Sequence, residues 1–430
     1  MATTPISSTS ATPARPVARP SARSWKRFLA VVGPGLIVAF ADTEAGSVTT
    51  AASSGAQFGM KLVLLQLLLI VPLFVVQEMT ARLGTATGKG HAALIREHYG
   101  LGWAWVSLGT MLITNIAALV TEFIGIAGAA LIFGVNATLM VVVAATLVIG
   151  VSLTGAYKRA EKAALALCLL ELLFIPAAFA AHPSLGTVVR EGIFGSQPLG
   201  DRTYLLLIAS NIGAVIMPWM IFYQQSATVD KGLRLPDLKF ARIDTAIGAV
   251  TTQVIMIAIV VTTAATLFVH HISVTDAAHA ALALVPLAGK WAGVAFGAGL
   301  IGASLLGAFV VSLATAWAFG EAFRWPCSLN YRCTEAKRFY GFYTICVVVA
   351  AGIVLIPNLP LVRITLYVEA FNAFVLPIVL GFLLVMANDK KIIGARRNSL
   401  VGNVIAFSVA TVCVGLGLWY AALTFMGQAG

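Results

Sequence analysis

The chain runs to 430 residues, of which 59% are hydrophobic and only 10% charged. An ordinary soluble domain carries roughly 25% charged residues, and a soluble protein of this composition would show water more apolar surface than it tolerates. A soluble enzyme is therefore excluded, and the net charge of +11 calls for an explanation other than nucleic acid.

Residues 1–24 are rich in Ser, Thr, Pro, Ala and Arg and hold no acid. They predict a disordered cytoplasmic tail. The same composition resembles an organellar transit peptide, and without an apolar stretch it is no secretory signal. Beyond it, apolar residues come in blocks of about 20 or more, enough to cross a ~30 Å hydrocarbon layer as a helix. They predict an all-α integral membrane protein of about eleven transmembrane helices. The spans fall near 28–54, 61–83, 103–133, 137–156, 160–181, 203–226, 243–270, 289–322, 339–358, 364–387 and 401–426.

The basic residues fit that count. With the N-terminus inside, cytoplasmic segments hold the Arg and Lys residues of the tail, then Arg82, Lys89, Arg96, Lys158, Arg159, Lys162, Lys231, Arg234, Lys239 and Arg242. Arg324, Arg332, Lys337, Arg338, Lys390, Lys391, Arg396 and Arg397 complete the set. The opposite face keeps only Lys61, Arg190, Arg202, Lys290 and Arg363 of the 28 basic residues. Such a bias is the signature of topology in a cell (inner) membrane, and it accounts for the net charge. The five cysteines (Cys168, Cys327, Cys333, Cys346 and Cys413) lack ligand spacing and read as structural.

Polar groups at membrane depth are costly unless they face protein or a water-filled path, so the few that occur point to function. The first span reads Gly33-Pro34-Gly35 through Ala41-Asp42-Thr43-Glu44-Ala45-Gly46-Ser47. Two carboxylates at the bilayer centre would cost roughly 5–7 kcal/mol on insertion scales. A broken helix that presents carboxylates and free carbonyls to a cation fits this segment. In the sixth span, Gly213-Ala214-Val215-Ile216-Met217-Pro218-Trp219, the proline removes a backbone donor and frees the carbonyl of Ala214. Spans one and six hold corresponding places in two five-helix halves, and paired interruptions of that kind mark a transporter's binding site. Glu122 in span three and Glu369 in span ten are lone acids on apolar helices, functional or paired structural groups.

Glu44, Met217, Glu369 and the released carbonyls together predict a divalent-cation site. Oxygen donors suit Mg²⁺, Ca²⁺ and Mn²⁺, and a thioether favours softer transition metals. No His or Cys is interleaved, which argues against a zinc-type tetrahedral site.

At these residues the sequence resembles the Nramp family of divalent metal transporters, which share an inverted-repeat fold of LeuT type. The family's Asp-Pro-Gly-Asn motif in span one corresponds, ten residues beyond Gly33-Pro34, to Glu44-Ala45-Gly46-Ser47. Gly55-Ala56-Gln57-Phe58-Gly59 falls on a small-residue and Tyr-Gly segment of the family, and Gln77 to Lys89 is similar to its Gln-x-x-Ser-Ala-Lys-Leu-Gly-x-Ala-Thr-Gly-Arg. Gly213 to Trp219 matches its Gly-Ala-x-x-Met-Pro-His, and Glu369 stands where it has Gln.

The resemblance implies a LeuT-type 5+5 inverted repeat with broken helices 1 and 6. Repeat one would cover about 28–181, repeat two about 203–387, with an extra helix at 401–426 in a single transporter domain from residue 25. Its metal ligands would be Glu44, Ser47, Met217 and Glu369 with the carbonyls of Ala41 and Ala214. Asp42 becomes the rival carboxylate if the register slips by two. The family's proton-route His is Trp219 here and its Asp is Leu119, which leaves Glu122 and predicts weak proton coupling. The expected activity is transport of Mn²⁺ or Fe²⁺ by alternating access, with Mg²⁺ as the alternative. A symporter of amino acids or organic cations is a more distant one, because an acidic site repels a carboxylate. No catalytic motif marks an enzyme. No cofactor is expected, no partner beyond metal and bilayer, and a monomer.

Overall fold

Inside a bilayer a helix is the one open-chain structure that satisfies its own backbone, and among the described residues no strand forms. The computed structural model describes residues 24–274, 277–356 and 361–425, without the side chains of 24–25, 361–367, 369–370, 373, 413 and 416–425. Residues 1–23 of the expected tail, and the side chains of Glu369, Arg363 and Cys413, lie outside this description.

The first span is a short amphipathic helix α1 (Ser24–Val31) followed by α2 (Pro34–Ala41) and α3 (Ala45–Phe58). Span two is α4 (Val63–Thr87), and α5 (His91–Tyr99) leads into span three, α6 (Leu101–Ile132). Span four is α7 (Ala137–Ser152), and span five is split into α8 (Tyr157–Glu171) and α9 (Phe174–Ala180), with α10 (Leu185–Gly192) after it. Span six is α11 (Arg202–Val215) and α12 (Pro218–Asp230), and span seven is α13 (Leu238–Thr263) with one π-helical turn at its end. After α14 (Ala277–Ala288) come α15 (Lys290–Phe323), α16 (Lys337–Val354) and α17 (Leu361–Asn388) as spans eight to ten. The short α18 (Lys390–Ile393) precedes span eleven, α19 (Leu400–Phe425).

Seven helical stretches among the described residues are long and apolar enough to cross a membrane. The difference from eleven has local causes. Ala45–Thr87 joins the second half of span one to span two, while α7 is only 16 residues long. The described apolar parts of spans ten and eleven are short, at Phe374–Asn388 and Leu400–Val412. The fold is all-α, with spans one and six both broken.

Gly33 and Pro34 explain where α2 begins. Gly33 sits at φ 149°, a backbone that L side chains rarely adopt, and a Cβ there would lie 2.1 Å from Glu161 Oε1. Pro34 follows as the first helical residue, where its missing N–H costs nothing. The eight-residue α2 packs against α13 and α8, whereas α3 is enclosed by α13, α11 and α6. The long α15 lies against α6 and α8 and holds the other side of the core.

Candidate functional site

The chain leaves the helix after Ala41. Asp42 caps the C-terminus of α2, and Glu44, at φ −68° and ψ 174°, is the extended N-cap of α3. In an unbroken helix Ala45 N–H would be given to Ala41 O. Here it is donated to Glu122 Oε2 of α6 at 3.3 Å. The acid therefore complements the positive N-terminus of α3. Gly307 on α15 makes room for it, since a Cβ there would sit 2.0 Å from Glu122 Oε1.

The second interruption follows the same logic. Ile216 and Met217 are extended, and Pro218 opens α12 as its first residue. The proline starts the second half-helix instead of kinking a continuous one. Because Pro218 has no N–H, Ala214 O lacks its helical donor. It accepts the hydroxyl of Ser47 instead, at 2.9 Å. Buried carbonyls are rarely left bare, and this bond joins the broken ends of spans one and six. Met217 is engaged locally: its N–H is given to Met220 Sδ at 3.3 Å, and its own Sδ accepts the Trp219 indole N–H at 3.0 Å.

Ala41, Asp42, Glu44, Ser47, Glu122, Ala214 and Met217 are all buried, none more than 1% exposed. Ser47 and Ala214 are in direct contact, and Glu122 reaches the residue after Glu44. Glu369 lies on α17, and its side chain is outside the described residues. No group of three or more His, Cys, Asp and Glu side chains able to hold a metal exists among the described residues. A cation at the junction would have to take carbonyl, hydroxyl and thioether donors along with carboxylates. A hydroxyl that donates its proton keeps two lone pairs, and a carbonyl has two, so the Ser47–Ala214 bond is compatible with both oxygens facing a metal.

On either side of the junction, polar side chains absent from the predicted site close the molecule. Toward the N-terminal end of α2, Asp244 of α13 accepts from Gly33 N–H (3.2 Å to each oxygen) and from Gly35 N–H at 2.7 Å. Lys231 donates to Val32 O at 2.5 Å and pairs with Glu161 Oε1 at 2.6 Å, and Thr252 donates to Ala39 O. Toward the other end, Gln66 of α4 donates to Asn211 Oδ1 of α11 at 2.6 Å, and Asn211 donates to Ser54 of α3 at 2.8 Å. Nothing in the sequence marked Asp244, which stands two residues after Arg242. Glu171 at the end of α8 also escaped notice. It is fully buried, and neither of its oxygens has a hydrogen bond among the described residues.

A model of the natural resistance-associated macrophage protein-like family (Nramp) matches residues 35–422. Among solved structures, the manganese transporter of Eremococcus coleocola, in complex with an aromatic bis-isothiourea compound, is similar over 94% of this chain and 88% of that one. Identity is 18% and the TM-score 0.71. MhsT in complex with L-phenylalanine is similar at 14% identity and a TM-score of 0.64, over 92% of this chain and 98% of that one. A Na⁺-coupled sialic acid symporter in a substrate-bound outward-open state is similar at 12% identity and a TM-score of 0.60, over 92% of this chain and 91% of that one. At these identities the likeness to the three structures shows the fold.

Proposed function

This chain belongs to the Nramp family, a family of membrane transporters and not of enzymes, and from that membership we propose that it is a secondary transporter moving a divalent metal cation by alternating access. The observation that carries this reading is the contact between the two helix interruptions, where Ser47 meets the carbonyl released by Pro218. The metal is held by Glu44, Ser47, Met217 and Glu369 and by the carbonyls of Ala41 and Ala214, with Asp42 as the rival to Glu44. Two carboxylates balance a divalent charge in a low-dielectric site, where one does not. The manganese transporter of Eremococcus coleocola shares the fold, which supports Mn²⁺ or Fe²⁺ as cargo. The two repeats run over about 28–181 and 203–387, and the chain works as a monomer in the cell membrane with its N-terminus inside.

One observation favours Mg²⁺ as a second reading. The thioether of Met217 accepts the indole N–H of Trp219, and a thioether so engaged is a weaker soft ligand beside hard oxygens. Proton coupling is weak in either case, because Trp219 and Leu119 stand where the family has titratable groups and cannot relay protons.

Uptake of Mn²⁺, Mg²⁺ and Ca²⁺ into proteoliposomes, with internal pH followed at the same time, tests the reading. The expected result is saturable uptake of Mn²⁺ with little acidification, lowered tenfold or more by Glu44→Ala. No uptake of any divalent cation would refute transport. Full activity of Glu44→Ala with loss in Asp42→Ala would move the ligand to Asp42. Acidification matching metal influx would overturn weak coupling.

A further inference from the structure

Far from the metal site, a cavity of about 520 Å³ opens where α4, α13 and α19 end among the basic loops. Its mouth holds Arg82, Arg242, Arg396 and Arg397 against a single carboxylate, Glu78. Glu78 pairs with Arg82 at 3.2 Å and with Arg242 at 2.8 Å, so it is already spent on two of the four. Arg396 and Arg397 are exposed, and neither has an ion pair among the described residues.

The turn that carries these two arginines is fixed from below. Buried Arg82 donates to Arg396 O and to Asn398 Oδ1, each at 2.7 Å, and Asn398 donates on to Asn403 Oδ1 at 2.7 Å. The arginines are thus held in the turn just before the 26-residue α19, whose N-terminal N–H groups favour anions. Guanidinium groups with free donors beside such a terminus form a phosphate-binding arrangement.

The rest of the cavity is apolar. Phe74 and Val75 on α4 and Val401 and Ile405 on α19 line it. Exposed apolar residues continue away from the charged mouth along all three helices: Val71 and Leu68 on α4, Ile247 and Val250 on α13, Val404 on α19. A cationic mouth at a membrane boundary leading into an apolar groove between helices has the shape and polarity of a phospholipid. Basic pockets between transmembrane helices on the cytoplasmic side bind anionic headgroups.

We propose that this groove is a binding site for an anionic phospholipid of the cytoplasmic leaflet, its phosphate on Arg396 and Arg397 and its acyl chains along α4, α13 and α19. The site is separate from the metal site, so its test does not depend on transport. Purified full-length protein is titrated with dioleoylphosphatidylglycerol or dioleoylphosphatidylcholine, and bound lipid is counted by native mass spectrometry. The double variant Arg396→Gln/Arg397→Gln leaves the backbone contacts of Arg82 in place and is expected to keep the thermal midpoint of the lipid-free protein. Its preference for phosphatidylglycerol should fall by roughly 30-fold, at about fivefold per basic residue. Lys158→Gln/Arg159→Gln, a charge-matched change elsewhere on the same face, should leave the preference intact. Equal preference in the wild-type and Arg396/Arg397 variant proteins would overturn the proposal. Displacement of the lipid by millimolar inorganic phosphate would also overturn it, since that marks a soluble-anion site.

Discussion

Removing the carboxylate of Asp244 should loosen α2 without touching any proposed metal ligand. Asp244 is 1% exposed and holds the backbone N–H groups of Gly33 and Gly35; Pro34 between them has none to give. Hydrogen bonds to a charged group contribute about 1.5–3 kcal/mol each, and a buried donor left bare costs about 1–3 kcal/mol. The favourable charge–dipole interaction at the helix end adds about 0.5 kcal/mol. Against this, Asp244→Ala relieves the cost of burying a carboxylate, which is several kcal/mol before compensation. A net loss of about 2 kcal/mol is the expected balance, a factor of about 30 in the equilibrium between docked and undocked α2. Asp244→Asn keeps one acceptor and should fall between the two. The assay is the modification rate of a single cysteine at Val38, buried on α2, in an otherwise cysteine-free protein, using an impermeant maleimide from the cytoplasmic side. About 30-fold faster labelling in Asp244→Ala is expected, with a smaller rise in Asp244→Asn. Equal rates in wild type and Asp244→Ala would refute the claim that this cap holds α2.

Two further outcomes follow from the same geometry. Met217→Ala should reduce uptake of Mn²⁺ or Fe²⁺ while sparing or improving that of Mg²⁺ or Ca²⁺, because it removes the one soft donor; a transporter of Mg²⁺ indifferent to this change would favour the second reading. In the loop after α15, burial pushes the Cys327 thiol up to about 12, above the usual ~8.5, so its reactive thiolate is scarce at pH 8. Peptide mapping after brief alkylation at pH 8 should find exposed Cys333 modified more than tenfold ahead of half-buried Cys327, and comparable labelling would count against that placement.

The helix breaks are legible in the sequence because they violate local rules: Asp-Thr-Glu within an apolar run, and a proline one turn after Ala214. Each violation has a local consequence, and the partner is another violation, so Ser47 and Ala214 find each other. Glu122 stands out for the same reason. What escapes the sequence is whatever depends on long-range pairing with ordinary backbone. Asp244 meets amides 211 and 209 positions away, and no pattern around it announces that. Lys231 is expected as a topology-setting charge, yet it spans Val32 and Glu161. The indole of Trp219 appears in the sequence only as a missing histidine, while in the structure it is the hydrogen-bond donor to Met217.

The two seals around the junction differ in kind, and the difference bears on which half-helix moves under the proposed mechanism. On the α3 side the closure is a chain of neutral amide and hydroxyl bonds, Gln66 to Asn211 to Ser54. There α3 itself is enclosed by α6, α11 and α13. On the α2 side the closure is ionic and falls on an eight-residue helix. Asp244 holds its first turn, Lys231, paired with Glu161, donates to the Val32 carbonyl before it, and Thr252 donates to Ala39 O. The polar bonds on α2 are few and share one rigid body with its buried apolar face, so the segment releases as a unit. The interruption at residues 42–44, where the chain passes from helical Asp42 to extended Glu44, gives that unit a hinge next to the proposed metal ligands. A cation bound at Glu44 would act directly on this hinge. Under the proposed mechanism, metal binding and the opening of α2 would be coupled through a few residues of chain, with no need of a longer path.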